Sequence, residues 1–140
     1  MKKILLLLIA IWTNAIFAQT ENYKVSFENF QSSYNAENYQ EIFNSFSAEM
    51  KKALPQEQTE MFFINLKSQV GEIISHEFIN SENETGAIFK TKFDRAILGV
   101  YLTLNSQDQL AGLLIKPYED PHDIETVSYT HLTLPTTPYV

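Results

Sequence analysis

Apolar residues recur at intervals of three and four positions through the first half of the chain, which is the spacing of one buried helix face. The first stripe consists of four aromatic residues, Tyr23, Phe27, Phe30 and Tyr34. The segment 35–38 then breaks this spacing. The sequence therefore predicts a helix that ends near Tyr34, followed by a corner.

The apolar stripe resumes after this corner and predicts a second short helix. Its apolar positions are Tyr39, Ile42, Phe43 and Phe46. Ser47 follows directly, and serine is among the residues preferred at a helix N-cap. We therefore expect a brief helical turn over residues 47–54.

A third helical segment is predicted between Pro55, which helix starts tolerate, and Gly71, which favours a helix end. The apolar positions that we expect to face the core are Phe62, Phe63, Leu66 and Val70. The first half of the chain is therefore predicted to be helical.

Beyond Gly71 the pattern changes to the alternation of apolar and polar residues that is typical of strands. Four strands are predicted, over 73–79, 87–93, 96–104 and 110–117. In the first strand, Ile74, His76 and Phe78 are expected on one face and Ile73 on the other. Three helical segments before an antiparallel meander predict an α+β fold, with the helices packed on one face of a curved four-stranded sheet.

Five stretches of the chain carry a family resemblance. They are FENFQSSYNAENYQEIFNSFSAEMKKALP, LKSQVGEI, IFKTKF, AILGVYLTLN and LAGLLIKPYE. These stretches resemble the bacterial domain of unknown function 3887 over about Tyr23 to Glu119. The order of elements also resembles the superfamily named after nuclear transport factor 2, described as cystatin-like in topology. The resemblance implies a cone-shaped domain in which helices cover a curved sheet.

The same resemblance implies a place in a larger protein. In that family the domain is often the N-terminal module of an exported protein whose second module is a hydrolase, and this chain is similar to members that carry a serine beta-lactamase-like domain. Such enzymes use a Ser-x-x-Lys nucleophile motif. No serine of this chain has a lysine three residues later. The resemblance therefore transfers no catalytic residue to this sequence.

The N-terminus has the organisation of a secretory signal peptide. Lys2 and Lys3 provide the positive start, residues 4–11 are apolar, and cleavage is expected after Ala18. A membrane anchor is the alternative, but it needs about 20 apolar residues and Thr13 interrupts the run. We therefore expect an exported protein that is periplasmic or secreted, with no membrane association after cleavage.

The final stretch, VSYTHLTLPTTPYV, resembles a translated sequencing adapter and contains no Lys, Arg, Asp or Glu. We exclude it from fold reasoning, as one would a cloning scar. The sequence is thus divided into a signal peptide over 1–18, an α+β domain over 19–118, an acidic linker over 119–126 and the tail over 127–140.

Composition narrows the function classes. The chain contains no cysteine, so disulfides and thiolate chemistry are excluded. Loss of the signal peptide leaves 8 basic and 17 acidic residues, a net charge of −9. Such a charge disfavours nucleic acid and anionic membranes as partners. No catalytic residue and no cofactor are predicted. His122 and Asp123 lie in an acidic stretch where metal binding is conceivable, but two carboxylates and one imidazole without fixed geometry do not make a closed site, so no metal is predicted.

Candidate pocket residues follow from the cone resemblance, which places a pocket between helices and sheet. His76 and Glu77 form an adjacent acid–base pair, but neighbours on a strand point to opposite faces and cannot act together. The residues that could line such a pocket are Tyr34, Tyr39, Phe62, His76 and Tyr101. Their spacing is equally typical of core residues, which is the interpretation we favour.

Two hypotheses for function remain. The first is a non-catalytic accessory or binding module, the N-terminal part of an exported serine hydrolase, whose partner is an in-cis hydrolase domain, a second copy or a small apolar ligand. The alternative is a stand-alone secreted cone that binds an apolar ligand or acts as an isomerase-like enzyme. The enzyme hypothesis requires a water-accessible pocket with a carboxylate. A cone interior filled by Phe27, Phe30, Phe62 and Leu98 would contradict it.

Overall fold

The computed structural model of the chain describes residues 2–79 and 86–120, with side chains described from residue 18 onward. The helices are α1 (Lys2–Asn35), α2 (Tyr39–Asn44), α3 (Ala48–Ala53) and α4 (Gln56–Val70). The strands are β1 (Ile73–Ile79), β2 (Ala87–Phe93), β3 (Ile97–Leu104) and β4 (Leu110–Pro117). The predicted linker beyond residue 120, the tail 127–140, and His122 with Asp123 lie outside the described residues.

The α+β prediction is confirmed: four helices pack on a four-stranded antiparallel sheet with strand order β1-β2-β3-β4. The predicted turn over 47–54 is a separate helix, α3. Ser47 caps it as expected, because its backbone is extended and its hydroxyl accepts a hydrogen bond from the Met50 amide at 3.2 Å. Among residues whose side chains are described, no helix combines the length and apolar character needed to cross a membrane.

One hydrophobic core joins the helical layer to one face of the sheet. Its buried members are Tyr23, Phe27, Phe30, Tyr34, Tyr39, Ile42, Phe46, Phe63, Ile73, Ala87, Phe89, Phe93, Val100, Leu102 and Leu110. Helical positions three and four apart and strand positions two apart supply these residues, as the two periodicities require. The opposite face of the sheet carries no helix among the described residues.

The face assignment predicted for the start of β1 is wrong. Ile73 is buried at 3% exposure, whereas Ile74 is 54% exposed. The pairing of β1 with β2 shifts register between Ile73 and Ser75, which is the mark of a β-bulge. An extra residue in one strand reverses the alternation, so Ile73 lies on the core side together with His76 and Phe78.

The buried face of α4 also differs from the prediction at one position. Phe63 is fully buried, but Phe62 is 42% exposed. Thr59 and Phe63, four positions apart, form the buried face, and Phe62 points about 100° away from it. The Phe62 ring instead rests edge-on against Phe63, with ring centroids 5.1 Å apart.

The turn between β2 and β3 closes the C-terminal end of α4. Arg95 donates from its Nε to the carbonyl of Gln69 and from its Nη2 to the carbonyl of Ser68, both at 2.9 Å. The Arg95 amide bonds the Val70 carbonyl at 3.0 Å. A cation here satisfies carbonyls that lack partners within the helix and suits the negative end of its dipole, so the junction of α4 with the sheet is fixed.

Candidate functional site

Aromatic rings occupy the space between the helices and the sheet. Phe27 stacks on Phe89 with ring centroids 4.2 Å apart. Phe30 packs against Phe63 at 5.7 Å. Leu98 packs against this core as a partly buried residue. The interior is therefore filled as expected for Phe27, Phe30 and Leu98, while Phe63 takes the place that was predicted for Phe62.

Tyr34 lies inside this aromatic cluster. Its side chain is fully buried, and its hydroxyl donates a hydrogen bond to the Gly71 carbonyl at 2.8 Å. Burial raises the pKa of Tyr34 well above its usual range, and the nearby Tyr39 adds to the effect. The phenol is therefore a neutral structural donor, which joins the end of α1 to the junction of α4 and β1.

His76 is a packed residue on the core side of β1. Its ring lies 4.6 Å from the Phe27 ring, and its Nδ1 is 2.7 Å from the amide oxygen of Gln31. Glu77 points to the other face of the sheet, where it lies opposite Lys90 in the register. The predicted separation of His76 from Glu77 is confirmed.

Tyr39 borders a shallow groove of about 500 Å³ on the outside of the helical layer, together with Ile64 and Ser68. Lys67 lies in the same groove, with its Nζ 3.1 Å from a carboxylate oxygen of Glu37. Burial raises the pKa of Tyr39, and the neighbouring Lys67 partly offsets this rise. Lys67 also donates a hydrogen bond to the Asn35 carbonyl at the end of α1. The charged group of this groove is therefore already engaged in contacts that join α4 to α1.

The remaining candidates lie elsewhere. Tyr101 is on the outer face of the sheet, with the Lys116 ammonium 4.9 Å from its ring centroid. Phe62 faces solvent. The structure thus places the five candidate residues in the core, in an external groove, on the surface of α4 and on the outer sheet face. They do not line one pocket.

A polar cleft that the sequence did not reveal lies between α1, α2 and the β3–β4 turn. Its volume is about 420 Å³. The lining residues are Ser26, Asn29, Phe30, Ser32, Ser33, Glu41, Ile42, Asn44, Ser45, Asp108 and Leu110. A sequence clue exists in hindsight, because Ser26, Asn29 and Ser33 share one face of α1 at spacings of three and four.

The β3–β4 turn gives the cleft a fixed rim. Asn105 holds the turn by accepting from the amides of Gln107 and Gln109 at 2.9 and 3.0 Å. Asp108 has a positive φ of 58°, which aspartate tolerates better than most residues. Its carboxylate accepts a hydrogen bond from the Asn22 side chain at 3.1 Å. The turn is therefore tied to α1 across the cleft.

The electrostatic character of the cleft limits what it can bind. Glu41 and Asp108 are its charged lining residues, and no Lys or Arg is among the described residues that line it. The serine hydroxyls and asparagine amides that line the cleft are its other hydrogen-bonding groups. Within the described part of the chain, no group of three His, Cys, Asp or Glu is placed to hold a metal ion. Such a cleft suits a neutral or positively charged ligand that forms hydrogen bonds.

These features define a small α+β domain with helices on one face of an open antiparallel sheet, a filled interior and a polar cleft at one end. The chain belongs to the family described as protein of unknown function (DUF3887), whose model matches residues 27–113, more than half of the 140 residues. Neither the curated proteins nor the solved structures with which the chain was compared include a match.

Proposed function

We propose that this chain is a non-catalytic accessory or binding module of an exported bacterial protein, and that it precedes a serine hydrolase domain. The observation that carries the proposal is the filled space between helices and sheet, where an enzyme of this shape would need a pocket. Tyr34 and His76, which offered acid–base chemistry, are engaged in contacts that hold the fold together. A domain of this kind acts by binding.

The polar cleft is the surface on which we expect the module to bind its ligand. Its hydroxyl, amide and carboxylate groups favour a hydrogen-bonding ligand with a positive charge over the small apolar ligand of the initial hypothesis. The buried side chains of Phe30, Ile42 and Leu110 form its floor and present little apolar surface. Export and the following hydrolase domain rest on the signal-peptide pattern and on the family resemblance.

The isomerase-like alternative has one observation in its favour. Glu41 and Asp108 place two carboxylates in a water-accessible cleft, and such enzymes use a carboxylate as a base. This alternative would move the chemistry from the cone interior to the cleft. It predicts that a cleft carboxylate is needed for turnover of a substrate, whereas the binding-module proposal predicts binding without turnover.

An amide chemical-shift titration of the exported chain tests the binding proposal. Spermidine is the positively charged probe, and citrate is the negatively charged control. We expect spermidine to shift amides of residues 26–33 and 105–110, and citrate to leave them unchanged. Replacement Asp108→Asn should weaken spermidine binding about fivefold, the effect of one partly screened charge.

The matched control for this titration is Glu57→Gln, because Glu57 is an exposed carboxylate at the start of α4, outside the cleft. Spermidine binding to this variant should equal that of the unaltered chain. Shifts scattered over the acidic surface, with equal losses in both variants, would show that charge alone attracts the probe and would contradict a site in the cleft.

A further inference from the structure

Lysines outnumber carboxylates on the outer face of the sheet, although the protein as a whole is acidic. Three lysines of β2 and β4 share this face with Glu77 of β1, which lies opposite Lys90 in the register. The alternation of β2 turns Phe89, Thr91 and Phe93 toward the core, so Lys90 and Lys92 lie on the outer face. Lys116 of β4 shares that face, because it lies two strands from Lys90 in the same row of the register. Three lysines thus lie on one face of a chain whose net charge is −7.

Two of these lysines make cation–π contacts with tyrosine rings. The Lys116 Nζ lies 4.9 Å from the centroid of Tyr101, and the Lys90 Nζ lies 5.0 Å from the centroid of Tyr118. Gly99, which lies between the two lysines in the register, makes room for this arrangement. A Cβ at Gly99 would lie 3.0 Å from the Tyr101 ring, so the ring lies directly over the glycine.

Two residues that follow β4, Tyr118 and Asp120, contact Lys90 of β2. β4 is an edge strand that ends at Pro117, and Lys90 is in β2, on the far side of β3. At the usual strand spacing the two strands are about 10 Å apart. The side chains of Lys90 and Tyr118 therefore meet above β3, over the outer face of the sheet. A carboxylate oxygen of Asp120 lies 3.8 Å from the Lys90 Nζ.

The charge of the next residues complements this face. Glu119 and Asp120 are followed by Asp123 and Glu125, which lie beyond the described residues. Lys92 is exposed on the outer face two residues from Lys90, or about 7 Å along the strand. Each exposed ion pair is weak by itself, but the Tyr118 ring contact and the Asp120 ion pair act together on Lys90.

We propose that the outer face of the sheet is the docking surface for the chain's own acidic segment 118–126, anchored by Tyr118 and Asp120 on Lys90. Docking of this segment sets the place and direction in which the next part of the protein leaves the module. The inference deepens the proposed accessory function, since such a module must hold its neighbouring domain in a defined position. It does not depend on which ligand the polar cleft binds.

Hydrogen exchange of the full exported chain, followed by mass spectrometry of peptides that cover residues 118–126, tests the proposal. Lys90→Glu should speed exchange in this segment about threefold or more, because docked amides exchange only after local opening. The double variant Lys90→Glu with Asp120→Lys restores the pair with reversed charges and should regain most of the protection. Salt at about 0.5 M should weaken protection in the unaltered chain.

Lys52→Glu is the matched control, because Lys52 is an exposed lysine on α3, in the helical layer. It should leave exchange of the segment unchanged, and peptides from β3 report whether each variant stays folded. If Lys90→Glu does not fold, Tyr118→Ala removes the ring contact instead and should also speed exchange.

Two results would overturn the inference. One is an unprotected segment whose exchange is the same in every variant. The other is protection that grows with protein concentration, which would make a second copy the occupant of the face. The spermidine titration of the cleft is independent of all these variants, so failure of the docking inference and failure of the binding proposal are separable.

Discussion

The hydroxyl of Tyr34 is a buried polar group with one specific partner. Its bond to the Gly71 carbonyl at 2.8 Å joins the last helical turn of α1 to the point where α4 gives way to β1. The sequence predicted Tyr34 either as a pocket-lining residue or, as we favoured, as a core aromatic, and gave no partner for its hydroxyl. The hydroxyl is enclosed and bonded to a carbonyl 37 residues away in the chain. Sequence spacing carries no information about such a contact.

Replacement Tyr34→Phe keeps the ring contacts and removes this donor. We expect the free energy of unfolding to fall by about 1–2 kcal/mol, since a buried carbonyl loses its partner. Urea denaturation at neutral pH measures the change. Tyr118→Phe is the control, because its ring lies on the outer face of the sheet, and it should alter the free energy by less than about 0.5 kcal/mol.

Tyr34→Phe should also change how the free energy of unfolding depends on pH. The pKa of Tyr34 is raised in the folded state above its ordinary value of 10.0, so above pH 10 the unfolded chain releases this proton first. The pKa difference at Tyr34 therefore contributes to the free energy of unfolding, and this contribution is complete below pH 10. As the pH rises from 10 toward the folded pKa the contribution is lost, by at most about 1.4 kcal/mol per pH unit. Tyr34→Phe should therefore show a shallower loss of stability above pH 10. Equal slopes would contradict the buried phenol.

At the level of elements, residue periodicity predicted most of the structure. Helical stripes indicated α1, α2 and α4, and alternation indicated all the strands, because burial of one face imposes these periods. The faces were harder to predict. The β-bulge at Ile73 arises from pairing with β2, and the choice between Phe62 and Phe63 depends on how α4 is rotated against its neighbours. Both depend on tertiary contacts that a single-chain pattern does not contain.

The two adjacent phenylalanines of α4 provide a matched test of this rotation. Phe63→Ala should lower the free energy of unfolding by about 3–5 kcal/mol, because it leaves a cavity among packed rings. Phe62→Ala should cost about 1 kcal/mol or less, since that side chain is 42% exposed. Thermal and urea unfolding of the two variants measure the difference. Equal losses would show that both rings face the core, as the sequence pattern had suggested.

At the scale of the whole molecule, the surfaces available for binding could not be predicted from the sequence. The polar cleft combines residues of α1 and α2 with Asp108 of the β3–β4 turn, which are far apart in the chain and share no motif. The same holds for the outer sheet face, where the Lys90 ammonium of β2 lies over the ring of Tyr118, which follows β4. Family membership and fold class could be predicted from the sequence because they depend on the pattern of apolar positions. Binding surfaces could not, because they depend on which distant segments of the chain come into contact.

The central claim is that the space between helices and sheet is a packed core and that binding takes place outside it. Diffraction from a crystal of the protein under xenon pressure tests this most directly, because xenon enters empty apolar cavities. We predict no xenon between the two layers. A xenon atom in contact with Phe27 and Phe89 would reveal an interior pocket, contradict the claim, and restore the apolar ligand as the leading hypothesis.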